Sequence, residues 1–309
     1  MGSARRRLLF ITLESEKGVW TLPDIPVLAE DYEFTRATEH SPVAGGGKYI
    51  GPNNVGSLEP NLGICKFKVR FRSTGSSAAM SADLAALLQA CGFKKTNEVY
   101  TFPTSSWSDQ KTLSIASYEI IGGSALHKGL SGAMGTCKFV KTIPGQKLEV
   151  EFEFKGVWRE VSKESIPVSW SPNSIAGMKA SAFTIDSAAK KISSLEIDGG
   201  QSVVPEPDPN GTNEVASFII ADVSPKIKVD PETELPDSYN YDSLFESQTP
   251  AAIQAVFDDG TYKAVFAMPS AEIIQIENKD RDGIYAYDLT YSLNNSSGDD
   301  ALTITMGAV

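Results

Sequence analysis

The sequence predicts a mainly β protein organised as two domains. Residues 65–72 and 148–155 alternate strictly between apolar and charged side chains, which is the two-residue period of a half-buried strand. Only one stretch has a clear helical period, and the 309 residues suffice for two domains, each with its own hydrophobic core. Hydrophobic residues make up 41% of the chain and charged residues 22%, as in globular proteins, so the whole chain is expected to fold.

The first domain is predicted to span residues 1–165. Residues 41–63 are dense in glycine, proline and asparagine, which are typical of turns, and we interpret them as one long loop. Within this loop, the residues expected to contact another copy of the chain are Gly45, Gly46, Gly47, Lys48 and Tyr49. The strand that follows, 65–72, has one basic face, formed by Lys66, Lys68, Arg70 and Arg72.

A helix is predicted after that strand, followed by three further strands. Ser81 is placed to cap it, and Gly92 suits the left-handed conformation that ends many helices. Its apolar residues share one face: Leu84, Leu87, Leu88 and Cys91. The strands are expected at 113–120, 126–140 and 148–155, and the last has an acidic face formed by Glu149, Glu151 and Glu153.

The second domain is predicted to span residues 166–309, after a linker within 161–181 that contains prolines and has no sustained period. Strand patterns recur at 192–197, 214–221, 226–229, 253–257, 262–266 and 284–293. Asp259 and Gly260 predict a hairpin turn between two of them, because this pair readily adopts positive φ angles. The proline-rich residues 205–211 are predicted to form a loop, and residues 280–283 a tight turn.

The order of strands, helix and strands occurs twice along the chain. Val69 precedes Leu84 by 15 residues, and Val229 precedes Leu244, which lies in a short helical pattern, by the same number. An internal duplication explains this order, although short β patterns also recur by chance. Both interpretations stay open at this point.

Composition weakens the case for several functions. The three cysteines are widely spaced, which suggests neither a disulfide framework nor a zinc site. The two histidines, His40 and His127, accompany no catalytic motif, and His127 is predicted to be a turn or interface residue, so we expect no enzyme and no cofactor. A net charge of −11 argues against tight binding of nucleic acid, and without a long apolar run no membrane anchor is expected.

Five segments together resemble the tail tube (major tail) proteins of long-tailed bacteriophages over nearly the whole chain. They are residues 84–93, 100–106, 125–139, 150–156 and 279–284. Three features depart from that family's pattern, and one of them is the weak match of residues 45–54. Met134 stands where the family usually has an arginine in a turn, and residues 202–212 form an enlarged acidic loop expected on the outside.

The resemblance implies β-sandwich or barrel domains, each with one short flanking helix, whose inner sheets join into a ring around a channel. It implies a virion protein made in the host bacterial cytoplasm, with stacked rings that conduct DNA without binding it specifically. Its partners are then other copies of itself, a tape-measure protein, a tail terminator and distal tail proteins. A duplicated chain would form the ring from three copies, and an unduplicated one from six. From the composition of their loop alone, residues 45–49 are expected to contact the next ring.

The two charged strand faces provide a concrete hypothesis about assembly. The basic face at 66–72 is predicted to meet the acidic face at 149–153, either across neighbouring strands or between subunits. The alternative is that both faces are simply solvated.

A β-sandwich binding module, either a carbohydrate-binding adhesin or a capsid decoration protein, is the main rival. Such a module would group aromatic residues in one set of loops. Trp20, Trp107, Trp158 and Trp170 are scattered along the sequence instead, which favours a structural protein.

Overall fold

The computed structural model describes residues 7–40, 58–75, 77–121, 123–165, 177–210 and 214–309. This part of the chain is mainly β, with two short α-helices, α1 (Ala82–Ala90) and α2 (Tyr241–Ser247). The strands before α2 are β1 (Arg7–Leu13), β2 (Ile25–Val27), β3 (Glu30–His40), β4 (Leu58–Arg70), β5 (Lys94–Thr96), β6 (Val99–Phe102), β7 (Leu113–Ile121), β8 (Ser124–Thr142), β9 (Glu149–Trp158), β10 (Ser162–Glu164), β11 (Lys179–Ile185), β12 (Ala188–Ala189), β13 (Ser194–Asp198), β14 (Gln201–Pro207), β15 (Val215–Val223) and β16 (Lys226–Val229). The strands after α2 are β17 (Ala251–Asp258), β18 (Tyr262–Arg281), β19 (Ile284–Leu293) and β20 (Leu302–Ala308).

Eighteen of these strands form one antiparallel sheet, which does not close into a barrel within the described residues. Its central section has the order β3-β4-β9-β8-β13-β16-β19-β18. Two outer sections have the orders β2-β1-β7-β8-β10 and β12-β11-β17-β18-β20-β6-β5. The long strands β8 and β18 each begin in an outer section and end in the central one, so they tie the sections together.

One pairing scheme occurs twice. In the first repeat, β8 begins between β7 and β10 and then pairs with β9, which pairs with β4. In the second repeat, β18 begins between β17 and β20 and then pairs with β19, which pairs with β16. The descent of the chain from a duplication stays a prediction, but the topology has an approximate twofold repetition.

Buried residues of the two repeats pack together, and the division of the chain into two domains stays a prediction. One cluster of buried residues includes Phe67 and Phe154 of the first repeat and Ile197 and Phe266 of the second. The reason is the pairing of β8 with β13, which makes the central section continuous across the repeats. The predicted boundary falls between β10 and β11, where residues 166–176 lie outside the described residues.

Helix α1 is buried along almost its whole length and contacts β1, β2, β7 and β8. Gly92 has a φ of +87° just after it, which confirms the predicted helix end. Ser81 is the N-cap residue, as predicted, but its side chain makes no capping hydrogen bond within the described residues. Cys91 is fully buried, as expected of a packed thiol.

Strands β14 and β15 form a separate hairpin that continues from β13 and β16 and folds over β8 and β9. The predictions of loops at 205–211 and 202–212 are therefore wrong for residues 202–207, among them Pro205 and Pro207, which lie in β14. Prolines are tolerated at the edge of a sheet, and this sheet has only edge strands. Beneath the hairpin, Met134 is fully buried against Phe218 and Ile220, where an apolar side chain is required.

Two predicted connections are shorter than expected, because strands extend into them. Strand β3 reaches His40 and β4 begins at Leu58, so residues 58–63 of the predicted loop are in a strand. Residues 45–49, the candidate contact loop, lie outside the described residues. The predicted linker at 161–181 likewise includes β10 and the start of β11, since β10 adds an edge to β8.

Turns and the ends of strands agree better with prediction. Gly260 has a φ of +92° between β17 and β18, and Gly283 has a φ of +83° in the turn before β19, so both predicted turns are confirmed. Strands β16 and β19 have the predicted bounds. Strand β18, in contrast, runs far beyond the predicted 262–266, because it crosses from one section of the sheet to the next.

Candidate assembly surface

The face of the central section that points away from the core is lined by charged side chains, and we call it the charged face. Along β4, Lys66 and Lys68 lie opposite Glu153 and Glu151 of β9. The lysine Nζ atoms lie 2.9 Å from carboxylate oxygens of these glutamates. The structure therefore brings these four predicted residues together across neighbouring strands of one chain.

Arg70 departs from this simple ladder. It lies opposite Glu149 in the register, but its Nη2 is 3.0 Å from Oε1 of Glu30 on the other side, in β3. Strand β3 thus adds an acidic strand beside the basic one. Strand β3 was not predicted, because its charged residues hide the alternation of a strand.

Charge pairs continue across the rest of the central section. Lys138 of β8 lies 2.8 Å from Glu196 of β13, and Lys228 of β16 lies 3.2 Å from Asp288 of β19. Acidic and basic strands therefore alternate from β3 to β19. Alternation of charged and apolar residues was too weak in β8 and β13 to predict these pairs, because each strand places few charged residues on this face.

Pairing with glutamates favours the protonated form of Lys66, Lys68 and Lys138. Hydrogen bonds to Glu153 and Glu196 raise the pKa of Lys66 and of Lys138, respectively. All of these pairs are partly open to solvent, where single ion pairs contribute little to the free energy of folding. Their main effect is on the electrostatic potential of the face, because each cation has an anion beside it.

Arg72 does not belong to the charged face, so its prediction is wrong. Strand β4 ends at Arg70, and the chain turns inward. The Arg72 side chain is 8% exposed and forms an ion pair with Asp83, which is 4% exposed, in the first turn of α1. The alternation of apolar and charged residues continues to Arg72 in the sequence, but strand β4 ends at Arg70 and only residues within it lie on the charged face.

The central section has two edges without a described partner strand. The first is the side of β3 that faces away from β4, and the second is the side of β18 that faces away from β19. Inside the chain, the equivalent edge of β8 is not open, because β13 pairs with it over residues 138–142. Unpaired edges expose backbone N–H and C=O groups that readily pair with another strand.

His127 is the residue closest to a catalytic arrangement. It lies in β8, not in a turn, and its Nδ1 is 3.2 Å from Oγ of Ser162 and 3.3 Å from Oε1 of Glu164. A relay of protons needs the serine and the carboxylate at opposite ring nitrogens, whereas here both approach the same one. The Nε2 atom is buried and has no hydrogen-bond partner among the described residues, and burial lowers the pKa of the imidazole. This arrangement fits a packed, neutral histidine.

The tryptophans do not form an exposed cluster in the described part of the chain. Trp20 packs against His127 and Arg159, and Trp158 packs against Phe34. The side chain of Trp107 and all of Trp170 lie outside the described residues. An aromatic binding surface therefore has no support from the two tryptophans that are placed.

No family model and no curated protein matches the sequence. Within the described ranges, no helix is both long and apolar enough to cross a membrane. The same ranges contain no group of three or more histidine, cysteine, aspartate or glutamate side chains placed to hold a metal ion. The charged face and the two open edges are thus the features from which a function has to be inferred.

Proposed function

We propose that copies of this chain join head to tail into rings and that the rings stack into the tail tube of a long-tailed bacteriophage. The observation that carries the proposal is the charged face of the central section, which spans both repeats and ends in an open edge on either side. The sequence resemblance to tail tube proteins points the same way. In this proposal, the charged face lines the channel.

A channel for DNA has to let a polyanion slide without adhering. Proteins that grip DNA gain free energy when lysine and arginine side chains release counterions from the phosphates. On the charged face, Lys66, Lys68 and Lys138 each hold a carboxylate of the protein. These partners reduce the gain from binding phosphate, and the net charge of −11 adds a general repulsion.

The repetition of the fold favours three copies per ring. Each chain would contribute two repeats of one sheet, and three chains would repeat a single heterologous contact until the ring closes. A ring of six copies stays the alternative. A tape-measure protein inside the tube, with a tail terminator and distal tail proteins at its ends, would then be the partners, and the role of the chain would be structural.

Electron microscopy of the purified protein at high concentration tests this proposal. We expect hollow tubes or rings with an axial channel. Protein that stays monomeric at every concentration and binds glycans would support the carbohydrate-binding module instead, and the tube proposal would then be wrong.

A charge reversal tests the role of the charged face. In Glu151→Lys, Lys68 loses its nearer partner and keeps only Asp31, at 3.7 Å, while it faces a second lysine near Lys138. This repulsion recurs in every ring. We expect fewer and shorter tubes but a nearly unchanged melting temperature, since the side chains involved are partly exposed. The exchange Lys68→Glu with Glu151→Lys is the matched control. It restores the opposite charges between β4 and β9 but leaves like charges beside Lys138 and Asp31, so it should recover tube length in part. Tubes of normal length from the single variant would contradict the role of this pair.

A further inference from the structure

We infer that the open edge of β3 in one copy pairs with the open edge of β18 in the next copy, antiparallel, with Glu33 opposite Lys279. This inference rests on the proposed function only in that copies of the chain join head to tail. It identifies the two strands that meet and the register in which they meet.

The pairing of β8 with β13 inside the chain is the template for this contact. There, the last strand of the first repeat's central section accepts the first strand of the second repeat's section. In that register, Phe139 lies opposite Ile197, and Val140 lies opposite Glu196. If the same contact continues between copies, β18 takes the place of β8, and β3 takes the place of β13.

A shared irregularity aligns the two repeats. The pairing of β7 with β8 shifts register between Leu130 and Ala133, and the pairing of β17 with β18 shifts in the same way between Met268 and Ala271. Since a bulge marks a fixed point on a strand, Ala133 corresponds to Ala271. Two residues further on, Gly135 corresponds to Ile273.

The correspondence between the two repeats can be extended from β8 and β18 to the open edge of β3 through residues that lie opposite each other in neighbouring strands. Each step moves to the directly opposite residue in the neighbouring strand, in both repeats at once. The matched residues are Gly135 and Ile273, Phe154 and Tyr291, Cys65 and Ile227, and finally Phe34 and Ile197. Phe34 of β3 therefore corresponds to Ile197 of β13, and Glu33 to Glu196.

The same steps locate the partner on β18. Phe152 and Leu289 lie two residues before Phe154 and Tyr291, and their opposite residues are Cys137 and Ile276. Two residues after Cys137 and Ile276, Phe139 of β8 corresponds to Asn278 of β18. One residue further, Val140 corresponds to Lys279. The contact between copies thus places Phe34 opposite Asn278, and Glu33 opposite Lys279.

The side chains at this contact suit each other. Glu33 and Lys279 are both exposed, carry opposite charges and lie on edges that have no described partner strand. Opposite charges that face each other across antiparallel strands favour pairing. Residues 277–280 of β18 are all exposed, whereas the equivalent segment of β8 is covered by β13.

Disulfide crosslinking tests the register. In the variant Glu33→Cys with Lys279→Cys, air oxidation should give disulfide-linked dimers and trimers on non-reducing gels. The three native cysteines are buried and should not interfere. The matched control is Glu33→Cys with Gln275→Cys, which shifts the second cysteine by four residues, about 13 Å along the strand. That distance is beyond the reach of a disulfide, so we expect no crosslinked product.

A charge exchange provides an independent readout. Glu33→Lys should weaken association in sedimentation experiments, and the addition of Lys279→Glu should restore it. This register would be wrong if the protein forms tubes but the variant with cysteines at 33 and 279 does not crosslink. It would also be wrong if the control with cysteines at 33 and 275 crosslinks instead. Either result would leave the tube proposal intact. Crosslinked closed trimers that never stack would support the contact and refute the tube.

Discussion

The buried ion pair between Arg72 and Asp83 tests whether Arg72 points into the protein and not onto the charged face. Arg72 continues the alternation of β4 in the sequence, yet it points into the protein and contacts the first turn of α1. In Asp83→Ala, the guanidinium stays buried without its anion. Breaking a buried pair in this way costs about 3–5 kcal/mol of unfolding free energy.

This cost is large enough to measure in two ways. A loss of that size corresponds to a decrease in melting temperature of roughly 6–20 °C, with about 2–4 °C for each kcal/mol in a large domain. Urea unfolding followed by tryptophan fluorescence gives the free energy directly. The control is Lys228→Ala, which removes a partly exposed pair with Asp288 and should change stability by no more than about 0.5 kcal/mol.

A double variant distinguishes the cost of leaving one buried charge unpaired from the cost of losing the ion pair itself. Arg72→Met with Asp83→Leu replaces both charges by apolar side chains, and it should recover most of the lost stability, since such replacements are often neutral. If Asp83→Ala costs no more than Lys228→Ala, Arg72 is not held inside the fold. The interpretation of Arg72 as part of a surface strand face would then be correct.

Two further predictions concern other parts of the fold. Burial lowers the pKa of His127, so the native state resists protonation: its stability is complete above the usual pKa near 6.5 and decreases as the pH falls below it. His127→Gln should flatten this decrease in urea unfolding between pH 7 and pH 5, and a variant as acid-sensitive as the parent would contradict it. Gly132 has a φ of +58°, and an added Cβ would lie 2.9 Å from Cα of Ser217 in the β14–β15 hairpin. Gly132→Ala should therefore cost about 1–3 kcal/mol and expose the hairpin to limited proteolysis, and an unchanged cleavage pattern would show that the hairpin does not dock there.

Much of the local structure could be predicted from the sequence. Strands β4 and β9 were predicted from their alternation, because each buries only one face against the core. Helix α1 and the turn at Gly260 were predicted from residues with strong local preferences. These features depend on interactions between residues close together in the chain.

Features that depend on distant residues were not predictable in this way. The pairing of β8 with β13 has no local signal, and it decides that the central section is continuous. Strand β14 was interpreted as a loop, because Pro205 and Pro207 are typical loop residues and only the partner strand β15 makes them part of a hairpin. The charged face was found in part, since Lys66, Lys68 and their partners alternate visibly, whereas Lys138 and Glu196 meet only through the fold.

The pairing of β8 with β13 also affects how the protein responds to dilution. Both strands belong to one polypeptide, so this joint forms at a high effective concentration that does not change with the amount of protein in solution. Contacts between separate molecules lack that advantage. Diluting an assembly of this chain should therefore release single molecules in which the two halves are still joined, and never isolated halves.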